Sequence, residues 1–358
     1  MATSPVAIAP AAPEPLRVEE LSAAAHGAWD AFVRSAPTGT PFHLLAWRRA
    51  IERVFGHEPV YLVARRGDAI VGVLPLFRIR SPFVGRNLLS IPYAVYGGIV
   101  AVEDDAASAL LAEASKIAHA ERVGCMELRY LHEPKGDDAP TTDLYCTFLR
   151  ELPASPDECL GSLPKKARAA ARAGRDKHSL ELGSGEWYLE DFFELFTRNK
   201  RQLGSPGLPL LWFRTLCEEF GSDCLVHVVR HELRPVAAVL SLRFGASFLP
   251  YYSGKLEEAN QWSVDNFLYW QLMEEAVRGG ARLFDFGRSR KDSGPYAFKK
   301  NQGFEPTTLH YRYHLVRHKT PPRFNPSNPK LALPRRMWSK MPFWAARALA
   351  RPLSRYLP

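Results

Sequence analysis

The densest chemistry in the chain lies in DFGRSRKDSGPYAFKKNQGFEP, Asp285 to Pro306. Its 22 residues hold three glycines, two serines, five cations and a tyrosine. Glycines let the backbone bend sharply where a strand leaves a sheet, and α/β proteins often place ligands there. Arg288 suits a bidentate grip on phosphate or carboxylate, a task that its planar fork performs better than an ammonium does. Ser289 beside it adds a hydroxyl. Lys299 could stabilise an oxyanion or a phosphate, and Asp285 or Tyr296 could carry a proton. A solvated surface loop would have the same composition, so residue types alone leave both readings open.

Two further segments carry concentrated charge. In LPKKARAAARAGRDKHSLEL, Lys165, Arg168 and Arg172 share one helical face by i, i+3, i+4 spacing. Such a face suits a polyanion, but a solvated helix uses the same residues. The tail NPSNPKLALPRRMWSKMPFWAARALARPLSRYLP interleaves cations with Trp338, Phe343, Trp344 and Tyr356. Cations and aromatics on a short helix fit an anionic membrane surface bound through residues 325–358. The same pattern results if the aromatics dock on the protein body.

Composition narrows the classes. The chain has 358 residues, of which 46% are hydrophobic and 24% charged, which excludes a disordered protein. Its net charge is +9, yet eleven Lys/Arg and no Asp/Glu lie between Pro306 and Pro358, so the rest is close to neutral. A generally basic DNA-binding surface is therefore not expected. No apolar run is long enough to span a bilayer, and MATSPVAIAPAAPEP has no basic n-region, so a cytoplasmic protein is expected, peripheral at most on the inner leaflet. The five cysteines are odd in number and contain no C-x-x-C, so they are expected to be buried free thiols. Motifs for a P-loop, a dinucleotide fold, a zinc protease or an α/β-hydrolase are absent, and the histidines form no ligand-spaced cluster, so no metal site and no permanently bound cofactor is expected.

The elements that position these residues repeat. A helix in PFHLLAWRRAIERVFG is followed by two strands around Arg66-Gly67-Asp68, then a long helix from about Asp105 to Arg122 that Gly124 is expected to cap, then the strand CMELRY. The same order recurs through LLWFRTLCEEFG, VHVVRHELRPVAAVLSLRFG, the helix before Gly279-Gly280, and LFDFGRS. Val71 matches Val236, Tyr96 matches Tyr251 and Glu127 matches Asp285. Two similar α+β domains with mixed sheets flanked by helices follow, over 16–150 and 151–320. They are preceded by a flexible segment 1–15, joined by a linker in ELPASPDECLGSLP, and followed by the basic tail 321–358. A basic helix over 164–178 opens the second domain.

These segments resemble the FemAB-like acyltransferases and, within them, look like the FemAB-related subgroup associated with bacterial exosortase (PEP-CTERM) systems. The carriers are FHLLAWRRAIERVFGHEPVYLVA, IVGVLPL, YGGIVA, LPKKARAAARAGRDKHSLEL, NKRQLGSPGLP, DFGRS, YAFKKNQGFEP and NPSNPK. The resemblance implies two tandem GNAT-like domains and direct attack of an amine on an activated acyl carbonyl. The donor would be acyl-CoA or aminoacyl-tRNA, and the acceptor an envelope or exopolysaccharide precursor. Phe298-Lys299 matches the family's C-terminal Phe-Lys pair at the reaction cleft, which the resemblance lines with Trp47, Tyr96 and Tyr252 as well. The basic helix from Lys165 matches the family's basic segment, so the resemblance implies Arg168 and Arg172 as phosphate contacts. The chain lacks the long helical arm that some relatives carry, which disfavours tRNA. It also lacks an R/Q-x-x-G-x-G/A loop, and it has Gln302 where an aromatic is expected. The same fold without catalysis would serve a protein that recognises a polysaccharide or an exosortase component.

Overall fold

The computed structural model describes residues 14–82, 85–321 and 332–356. Most of the segment expected to precede the first domain, and NPSNPK in the tail, lie outside the described residues.

The first half of the chain runs β1 (Leu16–Glu20), α1 (His26–Ser35), α2 (Leu45–Phe55), β2 (Glu58–Arg66), β3 (Ala69–Ser81), β4 (Gly85–Leu89), β5 (Val100–Ala101), α3 (Asp104–Ala120), β6 (Cys125–Tyr130), β7 (Thr141–Thr142) and β8 (Tyr145–Glu151). The second runs α4 (Pro156–Gly161), α5 (Lys165–Asp176), β9 (Glu181–Ser184), α6 (Leu189–Gln202), α7 (Leu210–Phe220), β10 (Cys224–His231), β11 (Arg234–Phe244), β12 (Ser247–Lys255), α8 (Val264–Arg278), β13 (Leu283–Asp285), β14 (Ser289–Arg290), α9 (Gly294–Asn301), β15 (Glu305–Thr308) and β16 (His310–Leu315). Two tail helices follow, α10 (Ala332–Lys340) and α11 (Phe343–Ser354).

Two mixed sheets result, ordered β1-β2-β3-β4-β6-β16-β7 and β14-β8-β13-β12-β11-β10-β9. Each contains one parallel pair, β4 with β6 and β12 with β13. The repeat is visible at single-residue register. A β-bulge leaves Val71 unpaired between Gly72 and Ile70, and a second leaves Val236 unpaired between Ala237 and Pro235. These are the two valines that the sequence matches.

The halves do not divide where the sequence suggests. Strand β8, at the end of the expected first domain, lies inside the second sheet between β13 and β14 and also pairs with β15. In return β16, from the end of the expected second domain, pairs with β6 and β7 of the first sheet. ELPASPDECLGSLP is likewise no open linker: it carries α4, and Cys159 is buried against the second core. Gly124 does not cap α3, which ends at Ala120. Its carbonyl instead accepts the N–H groups of Val316, Arg317 and His318.

Helices α2 and α7 are equivalent copies that pack against each other. Each ends on a glycine with positive φ, Gly56 at 64° and Gly221 at 52°. Trp47 meets Trp212 edge-to-face at 5.2 Å, while Trp47 meets Phe220 at 6.3 Å and Phe55 meets Trp212 at 5.2 Å. Phe55 and Phe220 hold matching positions, so the contact is reciprocal, as across a two-fold axis. Arg49–Glu219 and Arg53–Glu218 pairs flank it. All five cysteines are buried and free.

Candidate active site

Strands β12 and β13 pair only at Ser247–Leu283 and Phe248–Phe284, after which β12 runs on to Lys255. A bulge at Tyr251, between Tyr252 opposite Leu240 and Pro250 opposite Ser241, bends β12 at that point. The two strands therefore diverge. At the divergence Tyr269 of α8, Phe286 and Phe298 pack with tilted rings, Tyr269 at 4.3 Å from Phe286 and 5.9 Å from Phe298.

Asp285 closes β13 and is 4% exposed. The Thr147 hydroxyl of β8 and the Gly287 N–H both donate to its Oδ1, at 3.1 and 2.9 Å, leaving Oδ2 for another proton. Burial pushes its carboxyl up to about 6, opposed by the Gly287 N–H and the nearby Lys299 charge. Lys299, on α9, is 8% exposed, and its Nζ lies 5.1 Å from the Phe286 ring centroid and 5.5 Å from that of Phe148. It donates to the carbonyls of Gly287 at 2.8 Å and Arg288 at 3.4 Å, leaving a third N–H. Burial pulls its ammonium down to about 8, with Asp285 opposing and Arg288 adding to the shift. An acid raised and a lysine lowered toward neutrality, side by side, is an arrangement typical of proton-transfer sites.

Arg288 turns the other way, toward the junction between the sheets. Its guanidinium lies 4.6 Å over the Tyr145 ring and donates to the Tyr311 hydroxyl at 3.2 Å. That hydroxyl in turn donates to the Val95 carbonyl. Lys200 of α6 lies close enough for burial, and then the charge of Arg288, to lower its ammonium. Neither cation forms an ion pair among the described residues. Two cations without an ion-pair partner among the described residues thus lie near each other beside Tyr145, Tyr252 and Tyr311.

Several expected residues stand elsewhere. Trp47 is fully buried in the α2–α7 junction and donates to the Pro92 carbonyl, so it lines no cleft. Tyr96 is not the structural match of Tyr251: β4 stops at Leu89, and Tyr96 lies in the irregular segment before β5, whereas Tyr251 lies within β12. It borders a cavity of about 480 Å³ in the first domain together with His43, Arg129 and Asp137. Tyr252 receives the Trp212 indole N–H at 3.1 Å and faces Arg288. Ser289 is sealed in β14 opposite Cys146, its hydroxyl without a partner. Tyr296 packs edge-on against Phe148, with no hydrogen bond from its hydroxyl to Asp285 or Lys299. Arg168 bonds the Gly161 carbonyl and Arg172 projects outward; no contact links either to Lys299 or Arg288. Among the described residues, no group of three or more His, Cys, Asp or Glu side chains is placed to hold a metal.

Residues 162–300 match the model of an acetyltransferase (GNAT) domain. This is a tandem GNAT fold. FemX aligns over 84% of this chain and 98% of its own at 15% identity, with a TM-score of 0.65. A tandem GNAT protein from the clavulanic acid biosynthesis pathway covers 86% and 100% at 14% identity, TM-score 0.53. The L-PGS from Bacillus licheniformis covers 82% and 96% at 12% identity, TM-score 0.51. No curated protein matches the chain at a significant level. In the GNAT unit the divergence between β12 and β13 opens beside the first turn of α8. That turn carries Asp265, paired to Lys255, and follows Glu257 and Glu258. Asp265 is thus neutralised, as is Glu258 by Arg234, so Glu257 is the one of the three without an ion pair among the described residues.

The paired titrations set a pH profile. If Asp285 is the base and Lys299 the cation of a transfer reaction, the first must be ionised, above about 6, and the second protonated, below about 8. Transfer is expected to peak between those values and fall on either side. Asp285→Asn should lower the rate about 10²-fold or more and flatten the acidic limb. A rate–pH series on both proteins checks this, and an unchanged acidic limb in the variant would remove Asp285 from proton transfer.

Proposed function

We propose that the protein is a FemAB-type N-acyltransferase or aminoacyl transferase that moves an activated acyl group onto an amine of a cell-envelope or exopolysaccharide precursor, in the manner of the exosortase-associated subgroup it resembles. The observation that carries this reading is the convergence of Asp285 and Lys299 at the β12–β13 divergence. Asp285 Oδ2 takes the proton of the attacking amine. The remaining N–H of Lys299 meets the oxyanion that forms at the carbonyl, and collapse of that intermediate expels the thiol or hydroxyl leaving group. Arg288 and Lys200 hold the anionic part of a substrate.

The test offers the purified protein labelled acetyl-CoA or charged tRNA as donor, with an envelope-precursor fraction as acceptor. Label should appear on the acceptor with one donor and disappear in Asp285→Asn. Arg288→Ala is expected to raise KM for the anionic substrate about 10–100-fold with kcat largely kept, as loss of a charge-assisted bidentate contact would. A fall in kcat at constant KM would instead place Arg288 at the reacting carbonyl.

The lack of an R/Q-x-x-G-x-G/A loop favours one competing reading, a non-catalytic protein that retains the fold to recognise a polysaccharide or exosortase component. Absence of transfer from either donor, with function intact in Asp285→Asn, selects it.

A further inference from the structure

The tail combines the two patterns that its sequence leaves open. Helices α10 and α11 do dock: Trp338, Ala346, Ala350 and Ser354 are buried, Arg201 donates to the Met341 carbonyl, and Tyr93 donates to the Ser354 carbonyl. Arg347 lies 4.9 Å over Phe193 of α6, and Arg351 donates to the Val54 carbonyl of α2. Docking uses one stripe of α11, at i, i+4, i+8. Trp344, two positions before Ala346, projects from the opposite side and is 74% exposed.

What remains outside is concentrated. Eight large apolar side chains are exposed among the described residues, and Leu333, Met337, Trp344 and Leu349 all belong to these two short helices. A fifth, Leu203, adjoins them, its carbonyl accepting from Arg335. Scattered exposed apolar residues need no explanation, but a cluster does. Arg336, Lys340, Arg347, Arg351 and Arg355 accompany it, and no Asp or Glu occurs from Pro306 onward. Of the three acids of the underlying α6, Glu194 is occupied by Arg198 and Glu190 by Arg214, and Asp191 alone does not offset the five cations. The cationic field is therefore not cancelled locally.

We infer that the outer face of α10–α11 is a docking surface for an anionic lipid bilayer, with Trp344 and Met337 entering the headgroup boundary and the flanking cations meeting lipid phosphates. A protein partner fits less well, because protein interfaces are depleted in lysine at their centre, whereas a bilayer accepts cations around a shallow apolar wedge. Binding at this face is reversible and salt-dependent: no helix among the described residues is long and apolar enough to cross a membrane. The surface is separate from the Asp285–Lys299 site, so this inference stands whether or not acyl transfer is the activity.

The experiment is flotation of the full chain with vesicles of phosphatidylcholine alone and of phosphatidylcholine mixed with phosphatidylglycerol. Flotation should occur with the anionic vesicles and be lost at about 1 M salt, where screening acts over about 3 Å. Arg336→Glu with Lys340→Glu should lower partitioning at least about 25-fold, from roughly five-fold per cation removed. Trp344→Glu should abolish it, with thermal unfolding unchanged because the side chain is exposed. Lack of flotation with anionic vesicles at low salt overturns the proposal. So does flotation that survives Trp344→Glu, or a concentration-dependent dimer lost in Trp344→Glu when no vesicle binding exists.

Discussion

Lys299→Met is expected to lower acyl transfer about 10²–10⁴-fold and, in the same protein, to stabilise the fold by about 1–2 kcal/mol at neutral pH. The two effects have one cause. Burial between Phe148 and Phe286 pulls the ammonium from 10.5 to about 8, so at neutral pH the native state carries a charge that it holds less well than the unfolded chain does. A methionine fills the same channel without that cost. The lost bonds to the Gly287 and Arg288 carbonyls reduce the gain. The sign can be checked by titration. Between about 8 and 10.5 the native protein binds fewer protons than the unfolded one, so wild-type stability rises with pH across that window. The advantage of the methionine variant is therefore present at neutral pH and closes as pH rises to 10.5. Asp285 behaves in the opposite sense: its raised value makes ionisation cost stability as pH climbs from 3.8 to about 6. Denaturant unfolding of both proteins across pH, alongside transfer assays, decides the matter. A variant that is destabilised yet active would make Lys299 a staple for the Gly287–Arg288 turn and no part of the chemistry.

The cluster at this turn was partly legible from the chain. Asp285, Arg288 and Lys299 lie within 15 residues, and a glycine-punctuated turn after a strand marks them. Their partners were not legible, because strand pairing and helix packing brought them from far away. Thr147 arrives on β8, 138 residues before Asp285, and Lys200 reaches Arg288 from α6. Lys200 does occur in the NKRQLG segment, but nothing in its spacing points to Arg288. The repeat was readable where local geometry is encoded locally, as at the Val71 and Val236 bulges. It misled at Tyr96, where the first copy replaces the end of its strand with an irregular segment. That segment pairs with β6 through Gly97 and Arg129 and occupies the position where the second copy diverges. The two copies thus share architecture, and the first keeps an opening of its own there, the cavity of about 480 Å³ bordered by Gly97, Gly98, Tyr130 and the start of α3.

Because β8 and β16 change sheets, the two domains should fold only together. Expressed alone, residues 16–150 would lack β16 and expose the edge of β6, while residues 151–320 would lack β8, the strand that pairs with β13, β14 and β15. Exposed edges of this kind favour aggregation over a stable half. Each half is expected to show no cooperative thermal transition, whereas the full chain should unfold in one. The junction can be weakened without cutting. Trp47→Ala removes a fully buried indole that touches Trp212, Phe220 and Tyr251 at once, and should cost about 3–5 kcal/mol. Trp212→Ala should cost a similar amount, being its reciprocal. The double variant should cost less than the sum, because each removes the other's partner. If either half alone unfolds cooperatively, or if Trp47→Ala melts one sheet while the other persists, the exchanged strands do not bind the domains into one folding unit. In that case Arg288 and Lys200 would be joined to the first sheet only through side-chain contacts such as Tyr311, and their spacing would vary with domain motion. With the strands exchanged, the frame that sets that spacing includes a strand from each half of the chain, which is the rigidity a transferase needs to hold two substrates in register.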